Sequence, residues 1–215
     1  LDTPIEKRRR YLPEPLKAFP YVDGGLFADQ IDVPPLTEEL RDALLEISEG
    51  FDWSGVSPVI FGSLMEETLS HDERRKGGMH YTSVKNIHRL IDPLFLDGLK
   101  AELEGAEARP VAGGSRTNAL NKLHDKIAGL RFLDPACGSG NFLTETYLEL
   151  RRIENRILAD LDKDGQLALD LGDDINPVKV SISHFHGIEI NGFACAVART
   201  ALWIAEQQAL DDTES

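Results

Sequence analysis

Cysteine is scarce in this chain: Cys137 and Cys195 are the only two in 215 residues, and no Cys-x-x-Cys spacing joins them. A disulfide scaffold and a cysteine-rich zinc site are thereby excluded, and both side chains are expected to be small and buried. Apolar runs of 18 residues are missing too, as is a signal peptide, so no membrane partner is expected and the setting is read as cytoplasmic. Positive charge is equally short. Lysine and arginine number 23 against 37 acidic residues, a formal net charge of −14. Duplex DNA is held largely by cations that neutralise phosphates, so these residues are not expected to grip it widely. Only Lys7-Arg8-Arg9-Arg10 and Arg74-Arg75-Lys76 are locally basic, and the second run is the better candidate for a DNA contact. His80, His184 and His186 have no His-Glu-x-x-His or comparable ligand set around them, so no metal is expected.

What is present is a chain 41% hydrophobic, enough for one large domain or two small ones. Its most informative stretch is Asp134-Pro-Ala-Cys-Gly-Ser-Gly140, followed by Asn141-Phe142-Leu143. Arg131, Phe132 and Leu133 read as the end of a short buried strand. Phe142, Leu143, Tyr147, Leu150, Ile153, Ile157 and Leu158 then recur at helical spacing. A glycine loop between a strand and a helix start exposes main-chain N–H groups to a ligand. Two familiar ligand loops do not fit the spacing. A dinucleotide fingerprint needs a third glycine where Leu143 stands, and a phosphate-binding P-loop needs a Gly-Lys-Ser/Thr that never follows.

A second acidic residue supports a nucleotide site. Val180, Ile182 and Phe185 lead into Gly187-Ile188-Glu189-Ile190, read as an apolar strand ending in a carboxylate, and Phe193 to Gln208 is alanine-rich and helical in pattern. In doubly wound sheets such a carboxylate accepts both ribose hydroxyl protons, about 20 residues after the loop. Here 55 residues separate Asp134 from Glu189. Residues 160–174 account for the excess as an acidic insertion. Its opening, Asp160-Leu-Asp162-Lys-Asp164-Gly165, imitates a calcium loop, but Leu171 occupies the position where the ion needs a bidentate Glu. The insertion is read as a solvated acidic loop.

Upstream, Gly77-Gly78-Met79-His80-Tyr81-Thr82-Ser83 precedes a helical pattern with Val84, Ile87, Leu90, Ile91 and Leu94 on its apolar face. Thr82 or Ser83 is expected to cap that helix, and Pro93 to kink it or start a new turn. Further back, Gly24-Gly25 reads as a turn, and Phe27, Phe51, Trp53, Ile60, Phe61 and Leu64 as the packing face of a helical subdomain.

These segments together resemble the S-adenosyl-L-methionine (AdoMet) dependent DNA methyltransferases, above all the adenine-N6 branch. Asp134-Pro-Ala-Cys-Gly-Ser-Gly-Asn-Phe-Leu143 is similar to its motif I, Gly187-Ile-Glu-Ile190 to motif II, and Gly78-Met-His-Tyr-Thr-Ser83 to motif X. Phe19-Pro-Tyr-Val-Asp-Gly-Gly-Leu-Phe27, Phe51-Asp-Trp-Ser54 and Pro58-Val-Ile-Phe-Gly62 resemble the region before motif X in the MmeI-like family, in which restriction and modification are often fused. Asp23, where that family has Asn, and the acidic insertion are the departures.

The resemblance implies an α/β chain: a mainly helical N-terminal subdomain over residues 1–110 that includes the motif X loop, then, over 111–215, the first βα units of a Rossmann-like AdoMet domain. It implies AdoMet as cofactor, with Glu189 on the ribose. Asp134, Ala136, Gly138 and Gly140 would shape the methionine side, with His80, Tyr81 and Thr82 closing over it, and Pro135, Asn141, Phe142 and Ile190 are further cofactor-binding residues. The Asn/Asp-Pro-Pro-Tyr/Phe motif that grips a flipped adenine does not occur; Asn176-Pro177-Val178 lacks its second proline and its aromatic. The chain is therefore expected to be the cofactor half of a longer enzyme, to carry no catalytic residue, to be inactive alone and to reach DNA through its parent. Self-association through 182–190 and 194–204 is expected from a sheet cut after two strands. Methylation of RNA, protein or a small molecule, and a non-catalytic role in assembly, are the alternative readings.

Overall fold

A computed structural model describes residues 35–51, 55–60, 62–63, 82–163 and 177–214. The motif X residues His80 and Tyr81, the two basic runs, the 19–27 segment, Trp53, Phe61, Leu64 and most of the acidic insertion lie outside them. The chain divides into two compact units at Val56. In the first, helix α1 (Glu38–Gly50) starts where Thr37 Oγ1 accepts the Leu40 N–H at 3.2 Å, with Glu38 and Glu39 in the positive first turn.

Among its described residues, the second unit is helices around a two-stranded sheet. Helix α2 (Val84–Ile91) runs into a π turn (Asp92–Leu96) and on into α3 (Asp97–Glu107). Pro93 has no N–H to give, and its ring would collide with the carbonyl one turn back. The chain answers by widening that turn, Asp97 N–H bonding back to Asp92. The expected new turn at Pro93 is thus a π turn inside a continuous helical run. Ser83 sits at the N-cap of α2 without a side-chain cap bond. Of the expected apolar face, Ile87 and Ile91 are buried, whereas Leu90 and Leu94 face solvent.

Helix α4 (Ser115–Gly129) leads to strand β1 (Phe132–Asp134), the glycine loop and the long helix α5 (Asn141–Lys163). A 3₁₀ turn (Ile182–His184), strand β2 (Phe185–Gly187) and helix α6 (Gly192–Glu214) follow. The strands run parallel with Phe132 opposite Phe185 and Asp134 opposite Gly187, so β1, α5 and β2 form one crossover unit. Their buried face is aromatic: Phe132 and Phe185 stack at 5.1 Å, and Tyr147 meets Phe185 edge-on at 5.5 Å. Leu133 points the other way and is 63% exposed, so the strand expected to be buried is covered on one face only. The second strand is shorter than expected and ends at Gly187, which leaves Glu189 in the loop beyond it.

Helix α6 buries Ala194, Ala198, Ala201, Ala205 and Ala209, a small-residue stripe that brings it close to α5. The alanine stripe of that helix is thus occupied within the chain; among the described residues, Leu133, Ile188, Ile190 and Phe193 are apolar and exposed around the sheet's end. Phe51 and Ile60, expected on a packing face, are also substantially exposed.

One polar knot lies inside the helical layer. Glu154, fully buried, has Oε1 2.6 Å from His124 Nε2 and accepts the Lys179 N–H at 2.6 Å and the Val180 N–H at 3.1 Å. Arg151 bonds the other oxygen and reaches across to the Ala209 carbonyl at 3.2 Å and Thr213 Oγ1 at 2.7 Å. Burial would push the Glu154 carboxyl up, but these hydrogen bonds and the Arg151 charge outweigh it and hold the group below the usual range. The carboxylate fixes the backbone at 179–180, from which the chain runs into β2.

Candidate functional site at the strand ends

The two strand ends are tied to each other before any ligand is considered. Ile188 N–H donates to the Asp134 carbonyl at 2.9 Å, and Cys137 N–H donates to the Ile188 carbonyl at 3.1 Å, extending the pairing past the strands into both loops. Asp134 turns its carboxylate onto its own loop, Oδ1 accepting the Ala136 N–H at 3.0 Å, a local turn that short acidic side chains favour. Glu189 bridges the loops. Its Oε2 accepts the Gly138 N–H at 3.0 Å, and its Oε1 accepts the Asn191 N–H at 2.8 Å. Asn191 in turn caps α6, accepting from the N–H groups of Phe193 and Ala194 at 3.0 Å each.

The two loop glycines have different reasons to be glycine. Gly138 has φ +53° and open space where a Cβ would be, whereas Gly140, at φ +78°, would place a Cβ 2.8 Å from the Ala198 Cβ. A side chain at 138 would meet open space, whereas the absence of one at 140 lets the loop pass over α6. Gly187 is similarly crowded, a Cβ there falling 2.5 Å from Cys137 Sγ. Cys137 is partly buried, and burial, reinforced by the Asp134 and Glu189 carboxylates, pushes its thiol up to about 11.

Around this loop Pro135 and Ala136 are exposed, Asn141 is buried at the start of α5, and Phe142 packs against the core. Ile190 is 92% exposed, an isolated aliphatic group beside the Glu189 carboxylate. Thr82 is half-buried just ahead of α2. The site therefore gathers two carboxylates, an open glycine and a bare apolar side chain, with no lysine or arginine between 132 and 150 or between 180 and 198.

Sequence reading missed a second polar cluster, on the far side of α5. His88 Nδ1 lies 2.8 Å from Asp92 Oδ1 and its Nε2 3.1 Å from Glu145 Oε1. Glu149, one turn along α5, pairs with Lys100 at 2.8 Å and with Arg152. The ligand atoms of His88, Glu145 and Glu149 lie within 4.8 Å of one another, but Lys100 and Arg152 already balance the carboxylates, and the group acts as an ion-pair clamp between α2 and α5. Only the i, i+4 spacing of His88 and Asp92 hints at it in sequence.

A parallel βαβ unit with a glycine loop at its first strand end and a carboxylate after its second is the arrangement of α/β chains that take their ligand at the strand ends. Residues 111–215 match the family model described as the MmeI DNA-methyltransferase domain. The chain is 40% identical over 203 residues to DNA methyltransferase A of Bacillus subtilis (strain 168), covering 94% of this chain and 22% of that protein. The structure of the type IIL restriction-modification enzyme MmeI in complex with DNA superposes with a TM-score of 0.79 at 40% identity, over 99% of this chain and 27% of that one. The chain belongs to the MmeI-like DNA-methyltransferase family, and it spans about a quarter or less of the length of these relatives.

Proposed function

We propose that the loop from Asp134 to Asn141, with Glu189 and Ile190, holds AdoMet for methylation of an adenine amino nitrogen in DNA by the full-length protein. The observation that carries this reading is the donor set itself. The stretches 132–150 and 180–198 bring two carboxylates and no lysine or arginine to the strand ends, which disfavours a phosphate ligand and suits a cationic one that also carries a diol. Each Glu189 oxygen uses one lone pair on a main-chain N–H and keeps another for a ribose hydroxyl. Gly138 leaves the main chain approachable, and Ile190 offers an apolar surface that an adenine ring would cover. Bound AdoMet supplies an electrophilic methyl group on sulfonium. The chain's own residues bind and orient it, and His80, Tyr81 and Thr82 are assigned to its methionine end.

The adenine-gripping motif is absent from these 215 residues, so they provide no group to align an acceptor nitrogen, and lost positioning amounts to about 7 to 11 kcal/mol of barrier. The 215 residues alone transfer no methyl group. Incubating DNA of mixed sequence with methyl-labelled AdoMet and the full-length protein tests the reading: label in N6-methyladenine supports it, and label in RNA, protein or cytosine alone would overturn it.

A further inference from the structure

Gly62 lies 77 residues before Ser139 in sequence and against it in space. It is buried, next to Pro58 and Val59, which are buried as well, and two short turns fix its backbone: Ile60 N–H to the Ser57 carbonyl at 3.0 Å and Gly62 N–H to the Val59 carbonyl at 3.2 Å. Unlike Gly138 and Gly140, Gly62 is not among the positive-φ glycines, so its backbone would accept any residue. Space is what requires glycine here. A Cβ on Gly62 would fall 2.4 Å from Ser139 Oγ and 2.7 and 2.8 Å from the side-chain oxygen and nitrogen of Asn141. Those two side chains are themselves joined, Ser139 Oγ to Asn141 Oδ1 at 3.2 Å, and Asn141 is 5% exposed, with little room to turn aside.

We propose that Gly62 is a positioning residue for the cofactor loop: residues 57–60 and 62–63 form a backing wall whose missing side chain at Gly62 sets how Ser139 and Asn141 are held. Ser139 stands between the two glycines of the loop, and Asn141 begins the helix whose free N–H groups face the ligand. A methyl group at 62 displaces both side chains, and with them the main chain around Gly138. The inference rests on the reading of the loop as an AdoMet site.

The test uses the full-length protein with AdoMet as the probe, by calorimetry and by steady-state methyl transfer to DNA. Gly62→Ala should weaken AdoMet binding and raise its KM about tenfold, while kcat at saturating AdoMet stays within about twofold, since overpacking costs of this size act on the bound geometry. Gly62→Ala/Ser139→Ala removes the closest contact and the hydrogen bond that holds Asn141 against it, vacating the space into which the Asn141 side chain can shift, and should recover part of the loss. If Gly62→Ala does not fold, the double variant decides: restored folding and binding support the inference, and failure to restore them overturns it. Wild-type affinity in Gly62→Ala would overturn the inference alone, as would a fall in kcat and thermal stability with KM unchanged. A wild type that binds no AdoMet would overturn the functional reading and this inference with it.

Discussion

Glu189 Oε2 and the Gly138 N–H are 3.0 Å apart, and this one hydrogen bond couples the loop after the second strand to the middle of the glycine loop after the first. The carboxylate proposed to hold the ribose therefore also sets the shape of the loop proposed to hold the rest of AdoMet. Replacement of Glu189 acts on both at once.

The two loop glycines should separate by mutation. Gly138→Ala carries the left-handed penalty of about 1 to 2 kcal/mol in open space. Gly140→Ala adds to a similar penalty a collision with Ala198 at 2.8 Å, costing about 1 to 3 kcal/mol more. Urea unfolding should rank Gly140→Ala as the more destabilised, and Ala198→Gly should partly restore it. Equal stabilities would show that Gly140 does not pack against α6.

Removing Glu154 should be among the most damaging single changes, about 3 to 5 kcal/mol for Glu154→Ala, because it leaves Arg151 charged and buried and frees the Lys179 and Val180 N–H groups. Equilibrium denaturation measures it. A loss below about 1 kcal/mol would contradict the role given to this carboxylate.

Burial lowers the affinity of His88 for a proton, but hydrogen bonds to Asp92 and Glu145 more than reverse this, and the group titrates above its ordinary 6.5. A raised folded value means that the clamp between α2 and α5 contributes its full stability below about pH 6.5 and loses it as pH rises through the folded value. The melting temperature of the wild type should fall more steeply across that window than that of His88→Gln. Parallel curves would dismiss the clamp.

Cys137, with its thiol pushed up to about 11, should hold only about one thiolate in a thousand at pH 8 and alkylate correspondingly slowly. Iodoacetamide labelling followed by peptide mass spectrometry gives the rate against pH. A midpoint near 8.5 would place the thiol in water instead.

Much of the site was legible because its signals are local. Asp134, the loop glycines and the 3.6-residue recurrence from Phe142 to Leu158 lie within one stretch of chain, and the alanine-rich pattern after Phe193 marks α6. What escaped depends on distant partners. That Gly140 packs against α6 depends on Ala198 on another helix, and the His88–Glu145 contact joins residues 57 apart. Strand lengths misled for a related reason. An exposed Leu133 and a second strand that stops at Gly187 depend on what covers the sheet, which an apolar run does not specify.

The central claim, that this loop and Glu189 form the AdoMet site, is tested most directly by calorimetric titration of AdoMet into the full-length wild type and Glu189→Ala. A hydrogen bond to a charged group contributes about 1.5 to 3 kcal/mol, so saturable binding by the wild type should weaken roughly ten- to a hundredfold in the variant. Equal affinities would remove Glu189 from the site and contradict the account.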